Sequence, residues 1–164
     1  MFATGAVLDS FQSSGAAPRT LRGAITYVAG TTGAIATTTL FTVTGDVLLT
    51  SFRAKASTGL TSGGLPTVDI GVTGNTACFS TGMTNATTWT TGKWLENDGG
   101  VRTAVGRSLL TGGADLAALD AISADIIQTT SVATITGGVV RWYLSYVPLS
   151  GDGLVTLHAN LTAF

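Results

Sequence analysis

The side chains that could carry out acid–base or nucleophilic chemistry are few in this chain and lie far apart. His158 is the single histidine and Cys78 is the single cysteine. A catalytic nucleophile needs an adjacent base and an orienting group, and neither residue has such a partner beside it in the sequence. We therefore expect His158 to lie at a surface or an interface. We expect Cys78 to pack as a small apolar group.

Three aspartates, Asp115, Asp120 and Asp125, recur at a regular interval. Calcium loops place their oxygen ligands at alternate positions, which is a closer spacing than this one. Turn and capping roles therefore suit these aspartates better than a metal site does. The chain also lacks the G-x-S-x-G, Walker A, G-x-G-x-x-G and H-E-x-x-H motifs. We predict that the protein is not an enzyme and that it uses no metal and no cofactor.

The composition indicates a protein that works in an assembly. Charged residues make up only 10% of the 164 residues, whereas about 25% is usual. Such a chain is too apolar for disorder and has little of the surface charge that keeps isolated domains apart. A net charge of −1 predicts no binding to nucleic acid. No apolar run approaches the roughly 20 residues of a transmembrane helix, so we expect no membrane partner.

The clearest strand in the sequence spans residues 140–147, where the two faces alternate strictly. Trp142 lies on one face and Tyr143 on the other. The glycines at 137–138 predict a turn before this strand, and Pro148 ends it by removing a ladder donor. Neither face is polar enough to be freely solvated, so we expect a central strand or one that a sister subunit covers.

Short strands separated by turns of Gly, Thr, Ser and Asn are predicted along the rest of the chain. Their predicted ranges are 24–27, 36–43, 47–57, 67–73, 76–80, 87–91, 101–110, 124–128, 132–136 and 154–157. The Thr-Gly-Asp turn at 44–46 predicts that the second and third of these strands pair as a hairpin. Apolar residues at helical spacing allow one short helix over residues 114–124.

This pattern predicts an all-β fold, either an antiparallel β-sandwich or a jelly-roll-like domain, with at most one short helix. We predict an extended N-terminal arm over residues 1–23, the sandwich over residues 24–155 and a C-terminal tail over residues 156–164. The arm either gains order on a neighbouring protein or is a frayed terminus. Its sequence lacks the basic start and long apolar core of a signal peptide, so we expect assembly in a cytoplasm.

Large aromatic residues are the best candidates for contact with a partner. Trp142 is expected in the core or between subunits. An exposed tryptophan near a loop acts either as an interface hot spot or as a platform for a sugar, and we favour the interface. The candidate interface residues are Trp94, Trp89, Tyr143, Phe2 and Phe11.

The order of several motifs resembles that of small β-rich virion structural proteins of tailed bacteriophages. LFTVTGDVLLTSFRAKASTGLTS is followed by VDIGVTGNTACF and TTGKWLEND, and GGVVRWYLSYVPLSGDG comes later. The likeness covers residues 37–155 and carries no residue-level contact motif. It implies a capsid decoration (cement) protein, commonly a homotrimer, that binds the major capsid protein on the outer surface of the head. Such a protein stabilises the shell by burying apolar surface between capsid subunits.

Other roles remain open at this point. The resemblance also allows a head-fibre or tail-associated protein, or a receptor- or glycan-binding β protein of the virion. A tail tube subunit needs a long hairpin loop, and the loop over residues 60–66 is short for that purpose. A glycan-binding protein would use exposed aromatic residues such as Trp89 or Trp94.

Overall fold

Alternating apolar side chains build a set of short strands that stack in two layers. A computed structural model describes residues 17–83, 85–96, 101–102 and 120–164. Within these ranges the strands are β1 (Arg19–Thr26), β2 (Thr37–Thr44), β3 (Val47–Ser62), β4 (Thr67–Val72), β5 (Asn75–Met83), β6 (Trp94–Glu96), β7 (Val101–Arg102), β8 (Asp120–Ile122), β9 (Ile126–Ser131), β10 (Ile135–Pro148), β11 (Leu154–Leu157) and β12 (Thr162–Ala163). A 3₁₀ turn over Ala86–Thr88 precedes β6.

The strands form two antiparallel sheets. Sheet A has the order β12-β1-β10-β3-β6-β7, with β8 also paired to β3, and sheet B has the order β11-β2-β9-β4-β5. The pairs are nested along the chain: β1 with β10, β2 with β9, β3 with β6 and β4 with β5. A ribbon of nested pairs that is rolled into two facing sheets has the jelly-roll arrangement. The prediction of an antiparallel β-sandwich is confirmed.

The core lies between the two sheets and is centred on Trp142 of β10. This side chain has no exposed surface. It stacks on Phe52 of β3, with ring centroids 5.3 Å apart and an interplanar angle of 12°. Trp89 packs edge-on against it at 6.1 Å. Truncating a buried aromatic side chain of this size costs about 3–5 kcal/mol, so these contacts are a large part of the stability of the domain.

A buried hydrogen-bond chain joins the two sheets at one end. The Tyr27 hydroxyl, just beyond β1, donates to Gln128 Oε1 in β9 at 2.5 Å. Gln128 Nε2 in turn donates to Thr130 Oγ1 at 3.2 Å. Burial raises the pKa of the Tyr27 phenol far above its ordinary value, and the hydrogen bond to Gln128 offsets only part of that rise. Tyr27 therefore stays neutral and acts as a donor inside the fold.

The predicted hairpin between the strands at 36–43 and 47–57 is wrong, although both strands exist. The first is β2, which lies in sheet B, and the second is β3, which lies in sheet A. The turn between them carries the chain across the gap between the sheets. Gly45 has a φ of 62°, and the Asp46 N–H donates to Ser150 Oγ at 2.8 Å. Asp46 O also accepts from the Leu149 N–H at 2.9 Å.

Several predicted boundaries also differ from the structure. Strand β1 begins at Arg19, so residues 19–23 pair with β10 and are not part of an arm. Strand β10 ends at Pro148 as predicted, but it begins at Ile135 and runs through the predicted turn at 137–138 with shifts in register. These glycines bend the strand without ending it.

The predictions for the helical segment, for residues 87–91 and for the C-terminal tail also differ from the structure. Residues 114–119 of the predicted helix lie outside the described residues, and its end is strand β8. Residues 87–91, predicted as a strand, form the end of the 3₁₀ turn and a loop. The predicted tail is packed onto the sandwich, because Leu161 is buried and β12 pairs with β1.

Replacing Tyr27 with Phe is expected to reduce the loss of stability at alkaline pH. The folded-state pKa is raised, so the stability contributed by the neutral phenol is present below about pH 10 and is lost as the pH rises above that value. Below about pH 10 the variant is expected to lose about 1–3 kcal/mol, because Gln128 Oε1 loses its donor. Urea unfolding near neutral pH and at about pH 11 measures both effects. A free energy of unfolding that falls as steeply in the variant as in the wild type contradicts this account.

Candidate interaction surface

The outer face of sheet A gathers aromatic and cationic side chains. Successive residues of a strand point to opposite faces, so the burial of Trp142 puts Arg141 and Tyr143 on the outside of β10. The register places Arg22 of β1 and Arg53 of β3 directly opposite Tyr143, one on each side. Side chains that lie directly opposite each other on neighbouring strands are close enough to contact each other.

A second row of side chains crosses the outer face of sheet A, next to the row that contains Tyr143. Lys55 of β3 lies opposite Arg141 on one side and opposite Trp94 of β6 on the other. The Lys55 Nζ atom lies 5.4 Å from the centroid of the Trp94 ring, which is a cation–π contact. The first row alternates between cationic and aromatic side chains, whereas the second places the cations Arg141 and Lys55 side by side before Trp94. In both rows the aromatic ring has a cation beside it.

The aromatic rings contact one another across the rows. The Trp94 and Tyr143 centroids are 5.5 Å apart with an interplanar angle of 36°, and Phe164 meets Tyr143 edge-on at 5.6 Å. The Arg141 guanidinium carbon lies 4.8 Å from the Phe164 centroid. We call this surface the aromatic–cationic face. It consists of Arg22, Arg53, Lys55, Trp94, Arg141, Tyr143 and Phe164.

Charge is distributed unevenly between the two sheets. The described strands of sheet A contain six cationic residues, which are Arg19, Arg22, Arg53, Lys55, Arg102 and Arg141, and two acidic residues, Glu96 of β6 and Asp120 of β8. The register places Glu96 opposite Arg53. Strands β2, β4, β5, β9 and β11 of sheet B contain Asp69 and no other charged residue. The aromatic–cationic face therefore carries four cationic side chains, although the whole chain has a net charge of −1.

The structure brings together two of the predicted interface residues and corrects a third. Trp94 and Tyr143 are half-buried neighbours on the aromatic–cationic face. Trp89 is fully buried, so its prediction as an interface residue is wrong. The 3₁₀ turn directs Trp89 beneath β3, where its Nε1 donates to the Lys93 carbonyl oxygen at 3.0 Å. Phe2 and Phe11 lie outside the described residues.

Sequence reasoning missed all four cations of this face and Phe164. Strand alternation already placed Arg53 with Lys55 on one side of a strand, and Arg141 with Tyr143 on one side of another. The register that brings these two pairs together depends on long-range strand pairing, which alternation does not specify. Phe164 was assigned to a tail, and its place on the face depends on the pairing of β12 with β1.

The residues first considered for chemistry have structural roles where the structure describes them. His158 Nδ1 accepts from the Asn160 N–H at 3.3 Å, and Asn160 Nδ2 donates to the Thr39 carbonyl oxygen at 3.0 Å. The first bond stabilises the local turn, and the second attaches the C-terminal segment to β2 of sheet B. Cys78 packs against the core. His158 and Cys78 therefore take part in holding the fold together.

Of the three aspartates, Asp125 has a structural role. Asp125 Oδ1 accepts from the Val43 N–H at 2.8 Å, which supports the end of β2. Asp120 begins β8, and Asp115 lies outside the described residues. Among the residues that the structure describes, no group of three or more His, Cys, Asp or Glu side chains is close enough to hold a metal ion. No described helix is long and apolar enough to cross a membrane.

A small cavity lies behind the aromatic–cationic face and inside the core. Its volume is about 10 Å³, which is roughly the space that one water molecule occupies. Ser80 and Trp142 are among the residues that line this cavity. Ser80 Oγ and Trp142 Nε1 are buried without a hydrogen-bond partner. A space of this size is too small for an organic substrate, so the outer face is the better candidate for a functional surface.

Comparison with protein-family models, with curated proteins and with solved structures finds no significant match to this chain. The role of the aromatic–cationic face is therefore argued from its own geometry. Aromatic and arginine side chains are the types that contribute most of the binding energy in protein interfaces. Here they lie together on one sheet face, supported from behind by the packed core.

Alanine substitutions at Trp142 and Tyr143 are expected to separate the two faces of β10. Trp142→Ala should lower the free energy of unfolding by about 3–5 kcal/mol, because it empties a packed core position. Tyr143→Ala should cost about 1 kcal/mol or less, because it removes only cross-strand contacts on the outer face. Urea unfolding of the two variants measures the difference. Equal losses of monomer stability would show that the two faces are not distinct.

Proposed function

We propose that this chain is a non-enzymatic structural protein of a bacteriophage virion. In this proposal it is a decoration (cement) protein that binds the major capsid protein on the outer surface of the head through the aromatic–cationic face. Two independent considerations support the proposal. One is the resemblance of residues 37–155 to small phage virion proteins, and the other is the chemistry of this face.

The observation that carries the proposal is the packing of Trp94, Tyr143 and Phe164 among cationic side chains on one sheet face. Covering these rings with a partner removes apolar surface from water, at about 25 cal/mol per Å². The cations select for a partner surface that is acidic, and they raise the rate of encounter with it. A face of this composition suits an acidic protein surface better than another positively charged one.

A decoration protein stabilises a shell because it binds the assembled shell in preference to the separated subunits. A protein that binds the assembled shell but not its separated subunits lowers the free energy of the assembled state. The effect of one copy is modest. Copies bound at many equivalent positions repeat it over the whole shell, and contact with two subunits at once increases the avidity of each copy. No bond is made or broken in this mechanism, so it needs no catalytic group.

Glycan binding is the second candidate function, and the same aromatic side chains favour it. Sugars stack on exposed aromatic rings, and Trp94 and Tyr143 are both partly exposed on the outer face. One feature favours the protein interface over this alternative. Lys55 lies over the Trp94 ring, and Phe164 packs edge-on against Tyr143, so the rings are engaged with neighbours that a stacked sugar would have to displace.

Binding to phage heads tests the proposal. Heads are purified from a phage whose gene for this chain has been deleted, and co-sedimentation with the purified chain gives an affinity. Arg141→Ala is expected to weaken binding by about tenfold, because the face loses a cation and the partner of Phe164. Thr156→Glu is the matched control, since it changes the net charge by the same amount at an exposed position of sheet B. It is expected to leave the affinity unchanged.

Three results would count against the decoration proposal. The chain fails to bind the heads, both variants bind as the wild type does, or both variants lose affinity equally. Binding of the wild type to a glycan array, together with loss of that binding in Trp94→Ala and no binding to heads, would favour the glycan-binding alternative.

A further inference from the structure

Exposed apolar side chains concentrate at one end of the sandwich. Seven large apolar side chains are exposed among the described residues. Four of them, Val28, Ile35, Leu65 and Val132, lie in the loops 27–36, 63–66 and 132–134, which connect β1 to β2, β3 to β4, and β9 to β10. Antiparallel pairing brings these three loops to the same end. We call this end the apolar pole.

The three loops contact one another, so the apolar pole is a single surface. The Ile135 N–H, just after loop 132–134, donates to the Gly33 carbonyl oxygen at 2.8 Å. Gly64 lies so close to Ala133 that a Cβ atom added at Gly64 would come within 2.9 Å of the Ala133 Cβ. Ser62 Oγ also donates to the Thr134 carbonyl oxygen at 2.7 Å. These contacts hold the loops in place before any partner binds, which lowers the entropic cost of binding.

None of the residues in loops 27–36, 63–66 and 132–134 is charged. We propose that the apolar pole is the surface through which copies of this chain contact one another. Where identical subunits meet around a symmetry axis, each residue near the axis faces its own copy or a close neighbour. A charged side chain there would meet a like charge, so an apolar surface without charge is the kind that can face itself.

The other surfaces and partners fit this role less well. Two copies of the aromatic–cationic face would place like charges against each other, so that face needs a different, acidic partner. A lipid surface is also a poor fit for the apolar pole. Membrane-binding surfaces carry exposed aromatic and cationic anchors, whereas the single aromatic residue of these loops, Tyr27, is buried.

Val132 supports a binding role for the apolar pole. Its φ is 69°, a left-handed conformation that a β-branched residue rarely adopts. Its side chain is 74% exposed, so packing within the subunit does not account for a valine at this position. Glycine would adopt this backbone without strain. Backbone strain of this kind is typical of residues at binding sites.

Sedimentation velocity of the full chain over a range of concentrations tests the inference, which does not depend on the proposed function. The wild type is expected to self-associate. Leu65→Lys is expected to lower the association constant by about tenfold or more, because it puts a charge at the contact. Leu149→Lys is the matched control, since Leu149 is 54% exposed at the opposite end and Leu65 is 62% exposed. It is expected to associate as the wild type does.

The Val132→Gly variant gives a second test, because a purely structural role of Val132 would not change the melting temperature and the association in opposite directions. It is expected to raise the melting temperature of the monomer, because it relieves the backbone strain, and to weaken association, because it removes an apolar contact. A wild type that stays monomeric overturns the inference, as do equal effects of the two lysine variants. Val132→Gly that associates as tightly as the wild type also overturns it. Binding of a monomer to phosphatidylcholine vesicles would overturn it in favour of a lipid partner.

Discussion

The pairing of β10 with β3 determines what the molecule places inside and what it presents outside. The register sets Trp142 opposite Ala54 and Tyr143 opposite Arg53. A slip of one residue would exchange the two faces of β10, which would bring Tyr143 into the core and put Trp142 on the surface. The stacking of Trp142 on Phe52 opposes that slip. The aromatic–cationic face therefore depends on a contact that is buried inside the domain.

Local patterns in the sequence predicted the strands better than they predicted how the strands pair. Strict alternation correctly placed residues 140–147 in a strand, and Pro148 marked the end of β10, but the start of β10 at Ile135 was not predicted. The hairpin predicted from the turn at 44–46 failed because a short turn serves equally well to carry the chain from one sheet to the other. Both sides of β3 are apolar at its start. Tyr146 of β10 pairs with Leu49 of β3, and the preceding residue, Ser145, pairs with Ser51. Thr50 is therefore an extra residue in β3, a bulge, and the side of β3 that faces the core changes at this point.

The candidate surface could be predicted only in part for the same reason. Tyr143 and Trp94 were identified from residue type and from nearby turns, but their contact requires β6 to pair with β3. Trp89 looks the same as Trp94 in the sequence. A 3₁₀ turn buries Trp89, whereas β6 leaves Trp94 partly exposed on the outer face of sheet A. The apolar pole depends on nested strand pairing that brings three distant loops together, and no local pattern reports such pairing.

Electron cryomicroscopy of virions that contain this chain tests most directly whether the aromatic–cationic face contacts a capsid protein. We expect density for the chain on the outer surface of the head, with sheet A against the capsid and Tyr143 buried at that contact. Sheet B and its threonine-rich strands would face the solvent. Density in the tail, or on the head with the outer face of sheet A open to solvent, would contradict the account.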